Sequence, residues 1–193
     1  MMRKQNIILI GMSGAGKSTL GVILAKRMGY DFIDTDLLIQ QKYGKLLQTI
    51  IDEEGNQEFA RKEEALLSEI MFEQTIISTG GSAVYYEKAM EHLKTQGIIV
   101  YLAVPFAEIL RRIGSPENRG ILIPTGFTLE DVCRQREPLY LQYADIVLPV
   151  GKEETEMTVR RLQREIEQKS RALSDKYKQE GLEAGNTIIT VSD

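Results

Sequence analysis

The stretch that decides the fold is residues 6–19, which read Asn-Ile-Ile-Leu-Ile-Gly-Met-Ser-Gly-Ala-Gly-Lys-Ser-Thr. Its opening run is apolar on both faces, as expected for a central strand of a parallel sheet. From Gly11 onward the sequence matches G-x-x-x-x-G-K-[ST], and a helix is predicted from Lys17 to about Met28. A strand, a glycine-rich loop and a helix in this order predict a P-loop that binds the phosphates of a nucleotide.

The residue types in this loop suit the binding of Mg-ATP. Glycines let backbone N–H groups turn toward phosphate oxygens without obstruction by side chains. Lys17 is expected to reach the β- and γ-phosphates, and the Ser18 hydroxyl to bind Mg²⁺. The predicted nucleotide-binding residues of the loop are Gly11, Ser13, Gly14, Ala15, Gly16, Lys17, Ser18 and Thr19.

Outside the loop, short apolar runs alternate with longer amphipathic stretches, which predicts an α/β domain with a mostly parallel sheet. Further strands are predicted at 30–34, 75–79, 98–102 and 144–148. Helices are predicted at 37–43, 46–53, 57–72 and 105–113, from 128 onward, and at 153–178. Gly55 separates the second and third of these helices. Thr128 and Asp131 are placed to cap the fifth.

The chain is predicted to form one kinase domain over residues 1–178, followed by a C-terminal tail at 179–193. Within the domain, the Gly- and Pro-rich passage at about 114–126 interrupts the pattern of strands and helices. A loop of this kind inside a compact domain is commonly a functional lid. We therefore expect this passage to be mobile and to close over the substrates.

Composition limits the partners and the location of the protein. The net charge of −4 does not favour nucleic-acid binding, and the single cysteine, Cys133, allows no internal disulfide. The apolar run at 7–10 is too short for a signal peptide, and no stretch approaches the length of a membrane span. We expect a cytoplasmic protein, a monomer, that acts on a small molecule without nucleic-acid or membrane partners.

The acids that accompany the P-loop distinguish between classes of nucleotide-binding protein. The guanine-recognition string N-K-x-D of GTPases is absent. The strand predicted at 75–79 ends in Ser-Thr-Gly-Gly, without the aspartate that motor-type ATPases carry there. Instead, Asp34 and Asp36 follow the second strand, at the edge where open α/β sheets bind ligands. Asp34 can hold a magnesium water and Asp36 can accept a proton from a hydroxyl, although Asp36 could alternatively cap the helix predicted at 37–43.

Glycines and arginines further along the chain suit a second, acceptor substrate. Gly80 and Gly81 offer backbone N–H groups for close approach of a ligand, or form a simple tight turn. Arg119 lies in the predicted lid, and Arg136 lies on the helix that follows it. Arginine pairs bidentately with phosphate or carboxylate, although a single arginine is also common on a solvated surface.

The order of these motifs resembles that of the shikimate kinases. G-x-x-G-x-G-K-S/T is followed by D-x-D, F-x-x-x-E-E, S-x-G-G, a lid arginine and R-x-P-L-Y, which is 136–140 here. The resemblance spans about residues 6–150. It implies an α/β P-loop NTPase fold of three layers, with a five-stranded parallel sheet in the order 2-3-1-4-5, flanking helices and a mobile lid. It also implies that the protein transfers phosphate from ATP to shikimate.

The resemblance also implies a role for each site residue. Asp36 would bind the acceptor hydroxyls and act as base, Arg136 would bind the acceptor carboxylate, and Arg112 would cover adenine. Catalytic roles would fall to Lys17, Asp36 and Arg119, metal binding to Ser18 and Asp34, and acceptor binding to Asp36, Gly80, Gly81 and Arg136.

Two positions depart from the pattern of the family. The arginine that usually follows the phenylalanine of G-E-x-x-F-R is Ala60, and the usual third glycine after the third strand is Ser82. Arg61 is adjacent to Ala60 but would point about 100° away around a helix. Besides shikimate, the acceptor could therefore be another small hydroxy acid or a polyol. A third alternative, a non-catalytic nucleotide-binding module, is disfavoured because the acids and the P-loop residues are all present.

Overall fold

The computed structural model describes residues 5–113, 123 and 126–179 of the chain. A five-stranded sheet forms its centre, and every pair of neighbouring strands runs parallel, in the predicted order β2-β3-β1-β4-β5. The strands start and end within two residues of the predicted positions. They are β1 Asn6–Ile10, β2 Asp31–Asp34, β3 Thr75–Ser78, β4 Gly97–Ala103 and β5 Ile146–Pro149.

The middle of the sheet explains why this sequence folds around β1. All five residues of β1 are buried, as its unbroken apolar run predicts. Ile8 is in register with Ile77 of β3 on one side and with Ile99 of β4 on the other. The phosphate loop therefore starts from the most enclosed strand of the sheet, which gives it a rigid base.

Helices cover the sheet. They are α1 Lys17–Met28, α2 Thr35–Tyr43, α3 Leu47–Glu69, α4 Glu87–Gln96, α5 Phe106–Ile113, α6 Leu129–Tyr143 and α7 Thr155–Gln179, with a 3₁₀ turn at Ala83–Tyr85. The predicted capping box at the start of α6 is confirmed: Asp131 N donates to Thr128 Oγ1 (3.2 Å), and Thr128 N donates to Asp131 Oδ2 (2.9 Å).

The α3 helix joins the two helices that were predicted separately at 46–53 and 57–72. It contains a break at Gly55, whose φ of 83° and ψ of 165° are not helical. Only glycine adopts such a conformation without strain. The break lets α3 pack on α2, where Ile39, Ile50 and Phe59 form a small second core. The predicted interruption at Gly55 is therefore confirmed: a helical stretch lies on each side of it.

The α2 helix starts two residues earlier than predicted, at Thr35, and this changes the assignment of its cap. Asp34 is the N-cap residue, because its Oδ1 accepts a 3.0 Å hydrogen bond from Asp36 N. The alternative that Asp36 caps the helix is therefore wrong. Asp36 lies in the first turn, where its side chain is available to the site.

Several predictions concern residues outside the described part of the chain. The proposed lid at 114–126 lies mostly there, as does the tail at 179–193 apart from Gln179, where α7 ends. Among the helices that are described, none combines the length and the apolar composition needed to cross a bilayer.

Candidate active site

The phosphate loop connects β1 to α1 and carries three glycines with positive φ, Gly11, Gly14 and Gly16. Gly14 illustrates why a side chain is excluded: its φ is 80°, and a Cβ atom there would come within 2.8 Å of Ile113 Cγ1. The loop therefore packs closely against the end of α5. Its backbone N–H groups and the N-terminus of α1 form a concave surface suited to phosphate.

Lys17 is buried within this loop. Its Nζ donates to the carbonyl oxygens of Gly11 (2.7 Å) and Met12 (3.0 Å). Burial lowers the pKa of Lys17 to about 8, while the negative charges of Asp36 and Asp34 act in the opposite direction. The ammonium group is thus held against the loop by neutral carbonyls, and a phosphate would offer it a charged partner.

A cluster of oxygen atoms lies beside the start of α1. Ser18 Oγ donates to Asp34 Oδ2 at 2.5 Å and lies 3.2 Å from Ser78 Oγ. Ser18 comes from α1, Asp34 from the end of β2, and Ser78 from the end of β3, so the sheet topology brings them together. The first two were the predicted metal ligands, whereas the sequence analysis did not anticipate Ser78.

Asp36 lies on the same side of the sheet and also lines the cleft. The pKa of its carboxyl group is raised to about 6; burial is the main cause and the nearby Asp34 contributes in the same direction, while Lys17 opposes the shift. A carboxylate whose pKa lies close to neutrality is well matched to accepting a proton from a hydroxyl group.

The loop after β3 lies between these acids and α6. Gly80 N donates to Thr35 Oγ1 at 3.2 Å. A Cβ atom on Gly81 would come within 3.0 Å of Ser13 Oγ and 3.2 Å of Arg136 Nη1. The structure therefore brings Gly81 next to the phosphate loop and to Arg136, and Gly80 next to Thr35 and Asp36.

Arg136 is almost fully buried, with 2% of its surface exposed, although it lies on a largely polar helix. Its guanidinium carbon lies 5.1 Å from the centre of the Tyr85 ring, and Nη1 lies 4.0 Å from Met12 Sδ. One turn further along α6, Tyr140 donates a 2.7 Å hydrogen bond to Gly81 O. The interpretation of Arg136 as a solvated surface residue is wrong.

Arg112 lies at the opposite rim of the phosphate loop. It donates to Ala15 O (3.1 Å), Gly151 O (3.2 Å) and Glu108 Oε1 (2.7 Å). It therefore links α5 to the loop and to the segment that follows β5. Arg119, the predicted lid arginine, lies outside the described residues.

The phosphate loop and its surroundings enclose a cleft of about 800 Å³. Arg112, Asp36 and Gly81 are among the residues that line it. The 150–158 segment supplies another wall that the sequence analysis did not predict. The lining residues of that wall are Val150, Gly151, Lys152, Glu153, Thr155 and Thr158.

Glu63 was not among the predicted site residues, yet it lies buried against Gly80, beside the site. Its side chain is fully buried in α3, where its Oε2 accepts hydrogen bonds from Ser82 Oγ (2.6 Å) and Tyr86 OH (2.8 Å). Burial raises the pKa of Glu63 to about 7. A signal was present, because Phe59, Glu63 and Leu66 recur at helical spacing and place a charged residue on the buried face.

Comparisons with known proteins agree with this geometry. The shikimate kinase family model matches residues 13–167. The chain is 36% identical to the shikimate kinase of Haemophilus influenzae strain PittEE, with 84% of this chain and 92% of the relative covered. It is 38% identical to the shikimate kinase of Pasteurella multocida strain Pm70, with 79% and 90% covered.

A solved structure has the same architecture. The shikimate kinase from Acinetobacter baumannii in complex with shikimate superposes with a TM-score of 0.78 at 32% identity, with 84% of this chain and 92% of that chain covered. The family match spans well over half of the chain, and it agrees with the P-loop and the strand order described above. The chain belongs to the shikimate kinase family of ATP-dependent kinases.

Proposed function

We propose that the protein transfers the γ-phosphoryl group of ATP to a hydroxyl group of shikimate, giving shikimate 3-phosphate and ADP. The observation that carries this proposal is the arrangement around Gly81. Ser13 of the phosphate loop and the buried Arg136 both come within 3.2 Å of the position that a Cβ atom on Gly81 would occupy. An acceptor bound by its carboxylate at Arg136 would therefore extend toward the phosphates. Membership of the family supports shikimate as that acceptor.

Each residue has a task in the proposed transfer. Asp36 accepts the proton of the acceptor hydroxyl, and the hydroxyl oxygen then forms a bond to the γ-phosphorus. The bond from that phosphorus to the bridging oxygen breaks, and ADP leaves. Lys17 stabilises the charge on the phosphates, because its ammonium group is already buried in the loop that holds them. Arg112 borders the same cleft, which supports a role near the nucleoside end of ATP.

Mg²⁺ fits the oxygen cluster beside α1. Ser18 Oγ and Asp34 Oδ2 lie 2.5 Å apart at the edge of the cleft, and both are hard oxygen donors. No group of three or more His, Cys, Asp or Glu side chains suited to a metal occurs in the described part of the chain. Such a small protein donor set suits Mg²⁺, which keeps several waters and binds phosphate oxygens. When bound, the ion would neutralise charge on the phosphates.

The second candidate is a kinase of the same family that acts on another small hydroxy acid or a polyol. Ala60 favours it, because this position lacks the arginine that would add a second cation at the acceptor carboxylate. Arg61 does not supply that cation: its side chain is 75% exposed and pairs with Glu58 on the surface of α3 at 3.2 Å. The acceptor site therefore relies on Arg136 among the residues described.

A coupled assay of ADP release tests the proposal directly. The purified protein is given Mg-ATP with shikimate, and in parallel with a panel of hydroxy acids and polyols. Shikimate should give the highest kcat/KM, and its product should carry one phosphate at the 3-hydroxyl by NMR. A higher kcat/KM for another compound would establish the second candidate instead. Absence of transfer to every compound, with ATP still bound, would contradict both.

A further inference from the structure

The strongest observation that the proposed mechanism does not use is the buried carboxyl group of Glu63. Its side chain has no exposed surface, and it makes no salt bridge with any residue that the structure describes. Both of its hydrogen bonds end on one atom, Oε2, and come from the uncharged hydroxyls of Ser82 and Tyr86. Oε1 is buried without a hydrogen-bond partner among the described residues. An ionised carboxylate is costly in such surroundings.

The position of Glu63 links it to the acceptor site. A Cβ atom on Gly80 would overlap Glu63 Oε1 and would lie 3.0 Å from Asp36 Oδ1. Gly80 is thus enclosed between two carboxyl groups, one from α3 and one from α2. Glu63 therefore packs directly against the start of the loop that continues from Gly80 to Gly81, beside Arg136.

The two departures from the family pattern meet at this residue. Ala60 precedes Glu63 by three positions in α3, so an arginine at 60 would share a helix face with the carboxylate and could pair with it. Ser82 is the other departure, and its hydroxyl is a direct hydrogen-bond donor to Glu63 at 2.6 Å. A cation has been lost on one side of Glu63, and a neutral donor is present on the other.

We propose that Glu63 acts as a neutral acid that positions the Gly80–Gly81 loop for the acceptor, and that Ser82 and Tyr86 replace the missing arginine as its partners. An ion pair would have no net charge, and a protonated Glu63 beside two hydroxyls has none either. In this form Glu63 does not neutralise the positive charge of Arg136. The part of this inference that concerns an anionic acceptor rests on the proposed function. The contacts of Glu63 with Ser82 and Tyr86 do not depend on it.

The charges around Glu63 are consistent with the acid form. Asp36 faces it from α2, Arg136 from α6 and Lys17 from α1. The pKa of Glu63 is raised to about 7; burial is the main cause and Asp36 contributes in the same direction, while the two hydroxyls and Arg136 oppose the shift. The geometry is consistent with this direction, since the donors to the carboxyl group among the described residues, Ser82 and Tyr86, are neutral.

Isosteric replacement tests whether the neutral form is the working form. Glu63→Gln keeps the shape and can still accept from both hydroxyls, so kcat and the KM for shikimate should stay within about twofold of the parent values. Glu63→Ala removes the support of the loop and should raise the KM for shikimate roughly tenfold or more, with the KM for ATP unchanged. Equal damage from both substitutions would overturn the proposal, because it would mean that the charge is required.

A double-mutant cycle tests the replacement of the arginine. Ser82→Ala should lower Tm by several degrees in the parent and raise the KM for shikimate. In the Ala60→Arg background, Ser82→Ala should change Tm and the KM for shikimate much less, because the introduced guanidinium then pairs with Glu63. Equal losses in the two backgrounds would overturn the compensation. Tyr86→Phe can replace Ser82→Ala in the same double-mutant cycle. Tyr143→Phe, which removes the hydroxyl of another buried tyrosine, is the control.

The two readouts separate this inference from the proposed function. Tm is measured without an acceptor. Coupling between positions 60 and 82 in Tm would therefore support the compensation at Glu63 even if shikimate is not phosphorylated. In that case the assay with shikimate would contradict the proposed function alone. Coupling in Tm without any change in the KM of the accepted substrate would overturn the positioning role, since a purely structural contact gives that result.

Discussion

Ser18 in the first turn of α1 donates a 2.5 Å hydrogen bond to Asp34, which ends β2 and caps α2. One carboxylate therefore serves two purposes: Oδ2 faces the serine of the phosphate loop, and Oδ1 accepts from Asp36 N at 3.0 Å. The capping hydrogen bond orients the side chain of Asp34. It also holds the backbone of Asp36, whose side chain lines the cleft. The proposed metal site and the proposed base are thus coupled by a single backbone turn.

The coupling gives a prediction about the metal. Asp34→Asn retains an acceptor for the cap but removes the charge, so the Mg²⁺ concentration needed for half-maximal activity should rise roughly tenfold while the fold is kept. Titration of activity with MgCl₂ after chelation measures this. Asp31→Asn, at an exposed position of the same strand, is the control and should leave the Mg²⁺ requirement unchanged. An unchanged requirement in Asp34→Asn would remove Asp34 from the metal site.

Lys17 is predicted to be needed for catalysis and not for folding. Among the contacts described, its ammonium group donates to the carbonyls of Gly11 and Met12 and makes no salt bridge, so Lys17→Met breaks no direct ion pair. We expect kcat to fall by about 10²–10³-fold or more, with the unfolding transition kept. Steady-state kinetics and thermal denaturation measure the two effects. Near-normal turnover would contradict the role of Lys17 in phosphoryl transfer.

Asp36 is predicted to act on kcat. Asp36→Asn keeps the shape of the side chain but cannot accept the proton, so kcat should fall by about 10²–10⁴-fold, while the KM for ATP should change little. The effect is measured with saturating ATP and shikimate. A loss confined to the KM for shikimate would instead indicate that Asp36 binds the acceptor hydroxyl without taking its proton.

Arg136 is predicted to act on acceptor binding. Arg136→Met should raise the KM for shikimate by about 10–100-fold, because a charge-assisted hydrogen bond contributes roughly 1.5–3 kcal/mol. Arg134→Met is a matched control on the same helix, since Arg134 is 73% exposed and pairs with Glu130. A neutral polyol acceptor should be affected much less by Arg136→Met. Equal effects on anionic and neutral acceptors would exclude Arg136 from carboxylate recognition.

The titration of Glu63 predicts how stability depends on pH. Its pKa is about 7 in the folded protein against 4.5 in the unfolded chain, so between these values the folded state binds more protons. This group therefore lowers stability progressively as pH rises from 4.5 to 7. Glu63→Gln removes that loss and should be more stable than the parent above pH 7, by an amount on the order of 3 kcal/mol at most.

Thermal denaturation between pH 5 and pH 8 checks this. The difference in Tm between Glu63→Gln and the parent should widen as pH rises toward 7 and then level off. Glu64→Gln, at the neighbouring and partly exposed position, is the control and should show no such trend. A constant difference across the range would mean that Glu63 does not titrate there.

Local sequence was enough to predict the framework. An unbroken apolar run followed by G-x-x-x-x-G-K-[ST] predicts β1, the phosphate loop and α1, because these depend on short-range packing and backbone freedom. The motif order also led to the family and to the strand order, which the structure confirms. Asp36 lines the cleft and Arg136 lies beside Gly81, but the burial of these two side chains was not predictable from their neighbours in the chain.

Contacts between distant segments were decided only by the tertiary structure. Whether Asp34 or Asp36 caps α2 depends on the residue at which the helix begins. Local propensity leaves that boundary uncertain by a residue or two. Glu63 meets Ser82 and Tyr86 because α3 packs against the turn after β3, at separations of 19 and 23 residues. Its protonation follows from the loss of water around it, and that desolvation exists only once the two elements are packed together.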